Sequence, residues 1–115
     1  MEKIVKQGML YDFYGELLTE HQKKIYEDAV YEDMSLSEIA DEMKISRQGV
    51  HDLIKRCDKI LMDYEDKLHL VEKFTQTKEK ITAIHQIAEE MLCESTDMEN
   101  VTRIRQLSHE ILEEL

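Results

Sequence analysis

Proline is absent from the 115 residues, and glycine occurs only at Gly8, Gly15 and Gly49. With so few breakers, helices can stop only at caps and short polar turns. Tryptophan is also missing. Cysteine occurs twice, at Cys57 and Cys93, too few for a disulfide scaffold or a cysteine-based zinc site. The longest apolar run is three residues, as in Ile60-Leu61-Met62, far below the ~20 needed to span a bilayer. Membrane insertion is therefore not expected. No basic-then-apolar leader opens the chain, since mixed residues follow Glu2 and Lys3, and a cytoplasmic location is the expectation. Nor does any stretch alternate apolar and polar residues in a β-branched run, so strands have no support.

What remains is charge and helical periodicity. Twenty-six Asp and Glu face fifteen Lys and Arg, a formal net charge of −11. Such acidity opposes loose, sequence-independent attraction to nucleic acid or an anionic membrane. With 42% hydrophobic and 36% charged residues, the pattern predicts an all-α protein. A first helix is expected over residues 2–18, where Ile4, Leu10, Phe13, Tyr14, Leu17 and Leu18 recur at threes and fours. Thr19 followed by Gln22 makes a capping box for a second helix to about Asp33, with Ile25, Tyr26, Ala29 and Val30 on its apolar side. Ser35-Leu36-Ser37-Glu38 is another box, starting a short third helix through about Met43. Ser46 then caps a fourth. Two helices joined by a turn this short are what a helix-turn-helix requires.

The fourth helix continues past the length of that motif. Val50, Ile54, Cys57, Leu61, Tyr64, Leu68 and Val71 form an a/d seam of three heptads, extending the helix to about residue 70. Later helices of the chain or a second copy must cover that seam. Residues 77–93 carry Ile81, Ile84, Ala88 and Met91, and Thr96-Asp97-Met98-Glu99 offers a further capping box before Val101, Ile104, Leu107, Ile111 and Leu115. A helical hairpin turning near Glu94 to Asp97 is expected. The domain expectation is thus 1–75 for a helix-turn-helix domain, with its motif at 35–56, and 76–115 for a C-terminal helical extension. Net charge is −4 over residues 1–34, −2 over 35–68 and −5 over 69–115, so the least acidic third holds the motif.

Within the motif, Ile39, Ala40, Ile45, Val50 and Leu53 are expected to form the inner core. Ser46, Arg47, Gln48, His51, Asp52 and Lys55 are left facing out. In a major groove Arg47 can donate two bonds to guanine and Gln48 can pair with adenine. Ser46 and Lys55 can hold phosphates, helped by the field of the helix N-terminus. Ser46, Arg47, Gln48, His51 and Lys55 are therefore the candidate nucleic-acid contacts. Asp52 on the same face would repel a phosphate unless it accepts from a cytosine amino group. The opposing account of this face is a solvated helix surface.

The run from Ser35 to Val50, Ser-Leu-Ser-Glu-Ile-Ala-Asp-Glu-Met-Lys-Ile-Ser-Arg-Gln-Gly-Val, resembles the helix-turn-helix of the promoter-reading C-terminal region of sigma factors. More closely, the chain resembles the YlxM family of small bacterial proteins. Tyr11-Asp12-Phe13-Tyr14 with Leu17-Leu18-Thr19, then Ser46-Arg47-Gln48, Ile54-Lys55-Arg56 and Asp63-Tyr64-Glu65-Asp66-Lys67-Leu68 carry that resemblance, which spans about residues 8–75. It implies a DNA-binding helix-turn-helix protein with a regulatory role in the signal recognition particle pathway, the latter inferred from gene neighbourhood. A rival reading is an adaptor that binds the particle's GTPase or its RNA–protein complex without using DNA. Pairing of two copies through exposed parts of the seam is a further expectation. Two departures stand out. Lys44 occupies the turn where such motifs usually place glycine, at a cost of roughly 1 kcal/mol in a left-handed conformation. Gly49 lies inside the fourth helix, costing about 0.8–1 kcal/mol relative to Ala.

Other residues receive plainer readings. Cys57 falls on the seam and is expected as a small core residue, and Cys93 has no sequence partner. His21, His51, His69, His85 and His109 are scattered without metal-ligand spacing. Asp66 and His69 sit three apart, far short of a di-metal bundle. Neither metal nor cofactor is expected. Tyr11, Phe13, Tyr14, Tyr26 and Tyr31 could stack on single-stranded RNA if exposed, but packing against the fourth helix is favoured. No glycine-rich phosphate loop, Ser-His-Asp order or paired buried carboxylates is recognisable, so no catalytic residue is expected.

Overall fold

The computed structural model describes residues 2–93 and 98–114, and among them every regular element is helical. The elements are α1 (Lys3–Tyr14), a 3-10 turn (Gly15–Leu17), α2 (Glu20–Val30), α3 (Leu36–Met43), α4 (Arg47–Leu68), α5 (Leu70–Cys93) and α6 (Met98–Glu114). The expected cap at Thr96, the hairpin turn and Leu115 lie outside the described residues. Two compact units divide the chain, residues 1–71 and 72–115.

Local chemistry sets the starts of α2, α3 and α4. Thr19 accepts from Gln22 N while the Gln22 side chain accepts from Thr19 N, and Ser35 and Glu38 repeat this reciprocal box. Ser46 Oγ accepts from Gly49 N at 2.9 Å. A Cβ at Gly49 would approach that oxygen to 3.0 Å, so the glycine leaves room for the cap. Lys44 terminates α3 in the left-handed region, φ 57° and ψ 43°. The turn keeps the geometry that glycine usually provides, and lysine bears its steric cost. Lys44→Gly is expected to stabilise the protein by about 0.5–1 kcal/mol, the relief of strain exceeding the added unfolded-state entropy. A urea midpoint that fails to rise would show that the lysine side chain offsets its backbone strain.

In the first unit α4 packs against α1, α2 and α3. Its N-terminal half contributes Val50 to a cluster with Ile25, Ile39 and Ala40. Its C-terminal half contributes Cys57 and Leu61 to a second cluster with Leu10, Tyr14, Leu18, Tyr26 and Val71. Leu53 and Ile54 touch both clusters. One face of a 22-residue helix, about 33 Å long at 1.5 Å per residue, is thus covered by the chain's own earlier helices.

The structure departs from the periodic pattern in several places, Ile4 among them, which is exposed. The first helix ends at Tyr14 and tightens into the 3-10 turn, which leaves Leu17 exposed; Phe13, still in α1, is exposed too, while Leu10, Tyr14 and Leu18 are buried. Ile45, expected inside the motif, sits in the turn and is exposed. His69 adopts φ 56° and stops α4. Leu68 therefore stays exposed, and Val71 reaches the core from α5 instead of continuing the seam. The fifth helix starts at Leu70, seven residues before the expected 77.

The tyrosines build the side of the first unit away from the helix-turn-helix core. Tyr11 stacks on Tyr26 with ring centroids 5.7 Å apart and meets Tyr31 edge-on at 5.7 Å. A Cβ at Gly15 would fall 2.8 Å from the Tyr11 ring, so glycine is required for this stack to close. Each hydroxyl ends on a carboxylate: Tyr11 on Glu27, Tyr26 on Asp58 at 2.5 Å and Tyr31 on Asp12 at 2.6 Å. Tyr14 donates to Glu65 at 2.5 Å. The same Glu65 oxygen accepts from Val71 N at 2.9 Å, and Leu70 N donates to Tyr14 Oη at 3.1 Å. The start of α5 is tied to α1 and α4 in this way.

In the second unit, Lys80 of α5 pairs with Glu110 and Glu114 of α6, while a groove shared by Ile87, Glu90, Asn100 and Arg103 marks the other end. The two helices are antiparallel. Ile87 is buried, and Ile84, Ile104, Leu107 and Ile111 are half-buried. No helix of the described residues is long and apolar enough to cross a membrane.

Candidate nucleic-acid interface

The turn at Lys44 and the cap at Ser46 present the first turns of α4 at the surface. Val50 faces inward with no exposure, so residues about half a turn away face solvent. Ser46, Arg47, Gln48, Asp52 and Lys55 are exposed and His51 is half-buried. Arg47, Gln48, His51 and Lys55 therefore share one helix flank, with Ser46 at the cap that begins it. Arg47, Gln48 and His51 line a shallow groove together with Leu36 at the start of α3.

These side chains differ in what they have free. Among the described residues Arg47 and Lys55 have no hydrogen-bonded or ionic partner, so both charges remain available. The Ser46 oxygen is used as an acceptor by Gly49 N, which leaves its hydroxyl hydrogen to donate. Gln48 Nε2 donates to Asp52 Oδ1 at 2.9 Å. His51 Nδ1 is enclosed 3.5 Å from the same carboxylate oxygen without hydrogen-bonding geometry. Asp52 is thus engaged with its neighbours on the helix.

The stretch that carries the flank is basic in sequence. Between residues 44 and 59 five cations, Lys44, Arg47, Lys55, Arg56 and Lys59, oppose Asp52 and Asp58, a net +3 in a chain of −11. All five cations are exposed, whereas Asp58 is half-buried and holds Tyr26 and Gln7. Lys44 and Lys59 extend the basic strip beyond the residues singled out by motif reasoning. Leu36 was also missed. It packs against the cluster of Ile25, Ile39, Ala40 and Val50 and also lines the groove.

Among the described residues no three His, Cys, Asp or Glu side chains are grouped to hold a metal. Cys57 is buried, and burial pushes its thiol up to about 11, with Asp58 adding to the effect. It is a protonated core residue at neutral pH. Cys93 is exposed and free. The hydroxyls of Tyr11, Tyr14, Tyr26 and Tyr31 are occupied by carboxylates, and Tyr11, Tyr14 and Tyr26 lie at least half-buried in the packing.

A family model described as "Putative helix-turn-helix protein, YlxM / p13 like" matches residues 1–104. A UPF0122 protein of Clostridium botulinum is 51% identical over 80 residues, covering 70% of this chain and 72% of its own length. One from Clostridium novyi is 46% identical over 91 residues, 79% of this chain and 76% of the relative. A third, from Bacillus velezensis, is 43% identical over 88 residues, 76% and 80% of the two chains. The match runs through the capped turn, the basic flank of α4 and the tyrosine-rich packing, and the chain belongs to the UPF0122 family of YlxM-like helix-turn-helix proteins.

Proposed function

We propose that the protein is a helix-turn-helix regulator that reads duplex DNA, with the first turns of α4 entering the major groove. The observation that carries this reading is the pair of exposed, unpartnered cations Arg47 and Lys55 at the capped end of α4, set in an otherwise acidic chain. An acidic body disfavours indiscriminate phosphate binding, so affinity concentrates where the charge is locally reversed. Ser46 and Lys55 hold phosphates, while Arg47, Gln48 and His51 face base edges. In this reading residues 1–75 form the DNA-reading domain, and residues 76–115 are an extension that supports pairing of two copies. A homodimer presents two α4 helices about one DNA turn apart. Sedimentation of only a single-chain mass at micromolar concentration would remove the dimer.

The setting we infer is cytoplasmic regulation within the signal recognition particle pathway. A second reading, an adaptor for that particle's GTPase, is favoured by the −11 net charge, which complements a basic protein surface. Titrations with random duplex, duplex from upstream of the protein's own operon and the purified GTPase, each at several salt concentrations, separate the two. The DNA-reading function predicts sequence-preferring duplex binding that weakens steeply with salt. Arg47→Ala should weaken it about ten- to a hundredfold. Binding of the GTPase alone, insensitive to Arg47→Ala, would transfer the function to the adaptor.

A further inference from the structure

Asp52 is an acid on a face assigned to DNA, and its contacts suggest what it does there. Its Oδ1 accepts from Gln48 Nε2 at 2.9 Å. A carboxylate has no proton to give, so the amide nitrogen is the Gln48 atom held there and carbonyl Oε1 is turned away. Glutamine and aspartate four apart also stabilise a helix modestly, but the consequence for recognition is larger. A free glutamine offers a base both a donor and an acceptor. One Nε2 hydrogen is engaged and the second stays free, so the amide cannot exchange its oxygen and nitrogen without losing Asp52, and Gln48 is held in one orientation beside the Arg47 cation and the apolar side of Leu36 in the shared groove.

Resting on the DNA-reading function above, we propose that this groove selects an A·T pair and that Asp52 is the positioning residue that enforces the choice. Gln48 Oε1 accepts from the adenine 6-amino group, and Leu36 meets the thymine 5-methyl. In the major groove only adenine and cytosine present amino donors, and only thymine presents a methyl group. An A·T pair supplies both. A G·C pair lacks the methyl, and its guanine edge presents N7 and O6 acceptors that face the Gln48 oxygen unfavourably. Without Asp52 the Gln48 amide is free to turn its Nε2 toward guanine. The discrimination is therefore built by fixing which end of the amide faces the base as well as by supplying an acceptor.

The test starts from selection of duplexes with a random core by the full chain, followed by titration of the selected site. The wild type is expected to enrich an A·T pair. Substituting that adenine by 2-aminopurine, which lacks the 6-amino group, or that thymine by deoxyuridine should each weaken binding about fivefold. Asp52→Ala should narrow the preference for A·T over G·C at this pair by about fivefold or more, whatever it does to overall affinity. An Asp52 that acts only as a repelling charge would raise affinity for both duplexes equally and leave the ratio unchanged, which overturns the proposal. Wild-type binding indifferent to both base analogues also overturns it while leaving the DNA-reading function in place. Absence of any duplex binding removes that function and this proposal together.

Discussion

Replacing Glu65 with alanine is expected to remove about 2–5 kcal/mol of stability, a large share of the 5–15 kcal/mol typical of a domain. The carboxylate is buried, and one oxygen accepts both the Tyr14 hydroxyl and Val71 N. Truncation leaves two donors in a packed interior with no acceptor, each costing about 1–3 kcal/mol. Glu65→Gln keeps a carbonyl oxygen at the same place and should cost clearly less. Urea unfolding gives the magnitudes, and amide exchange at Val71 gives the mechanism, since that proton should exchange faster in the alanine variant. Equal losses for alanine and glutamine would show that the bonds to Tyr14 and Val71 contribute little.

The second large effect is a loss of stability in alkali. Burial raises Tyr14 and Tyr26 above the ordinary tyrosine value of 10.0, and the hydrogen bonds to Glu65 and Asp58 add to the rise. Tyr11 moves the same way through burial and then Glu27. Cys57 is pushed from 9.0 to about 11. In each case the native state keeps a proton that the unfolded chain gives up, so stability is complete below the unfolded value and falls as pH rises through the native one. The fall should begin near pH 9 with Cys57 and steepen above pH 10 as the tyrosines join. The Cys57 displacement alone corresponds to about 2–3 kcal/mol lost by pH 11. Urea midpoints at intervals from pH 7 to pH 11 check this, and Cys57→Ala should flatten the part between pH 9 and 10. A midpoint that stays level to pH 11 would mean that these groups are hydrated in the native state.

The features legible in the sequence are those whose cause is local. Thr19, Ser35 and Ser46 announce helix starts because each capping partner lies three residues on. The α4 seam was legible from Val50 to Tyr64 for the same reason. It failed at Leu68, because His69 enters a left-handed conformation with neither glycine nor proline to mark it. Leu17 was misplaced because a 3-10 turn changes the angular step between residues. The tyrosine partners were out of reach for another reason. Tyr14 meets Glu65 and Tyr26 meets Asp58 across 51 and 32 residues, separations at which spacing carries no information. In the candidate interface, the flank of Arg47, Gln48, His51 and Lys55 followed from helical phase. The engagement of Asp52 was written there too, four residues after Gln48, but charge sign alone suggested an obstacle.

The passage from α4 to α5 has a consequence for how this chain can vary. A single left-handed residue, His69, separates helices ending at Leu68 and beginning at Leu70. One residue added at that corner would swing every later side chain by about 100° around the helix axis, since 3.6 residues complete a turn. Val71 would leave its socket among Leu10, Tyr14 and Leu61, and its amide would lose Glu65. Length at this corner is therefore as constrained as composition, and drift in the gene should spare it insertions and deletions even where its letters change.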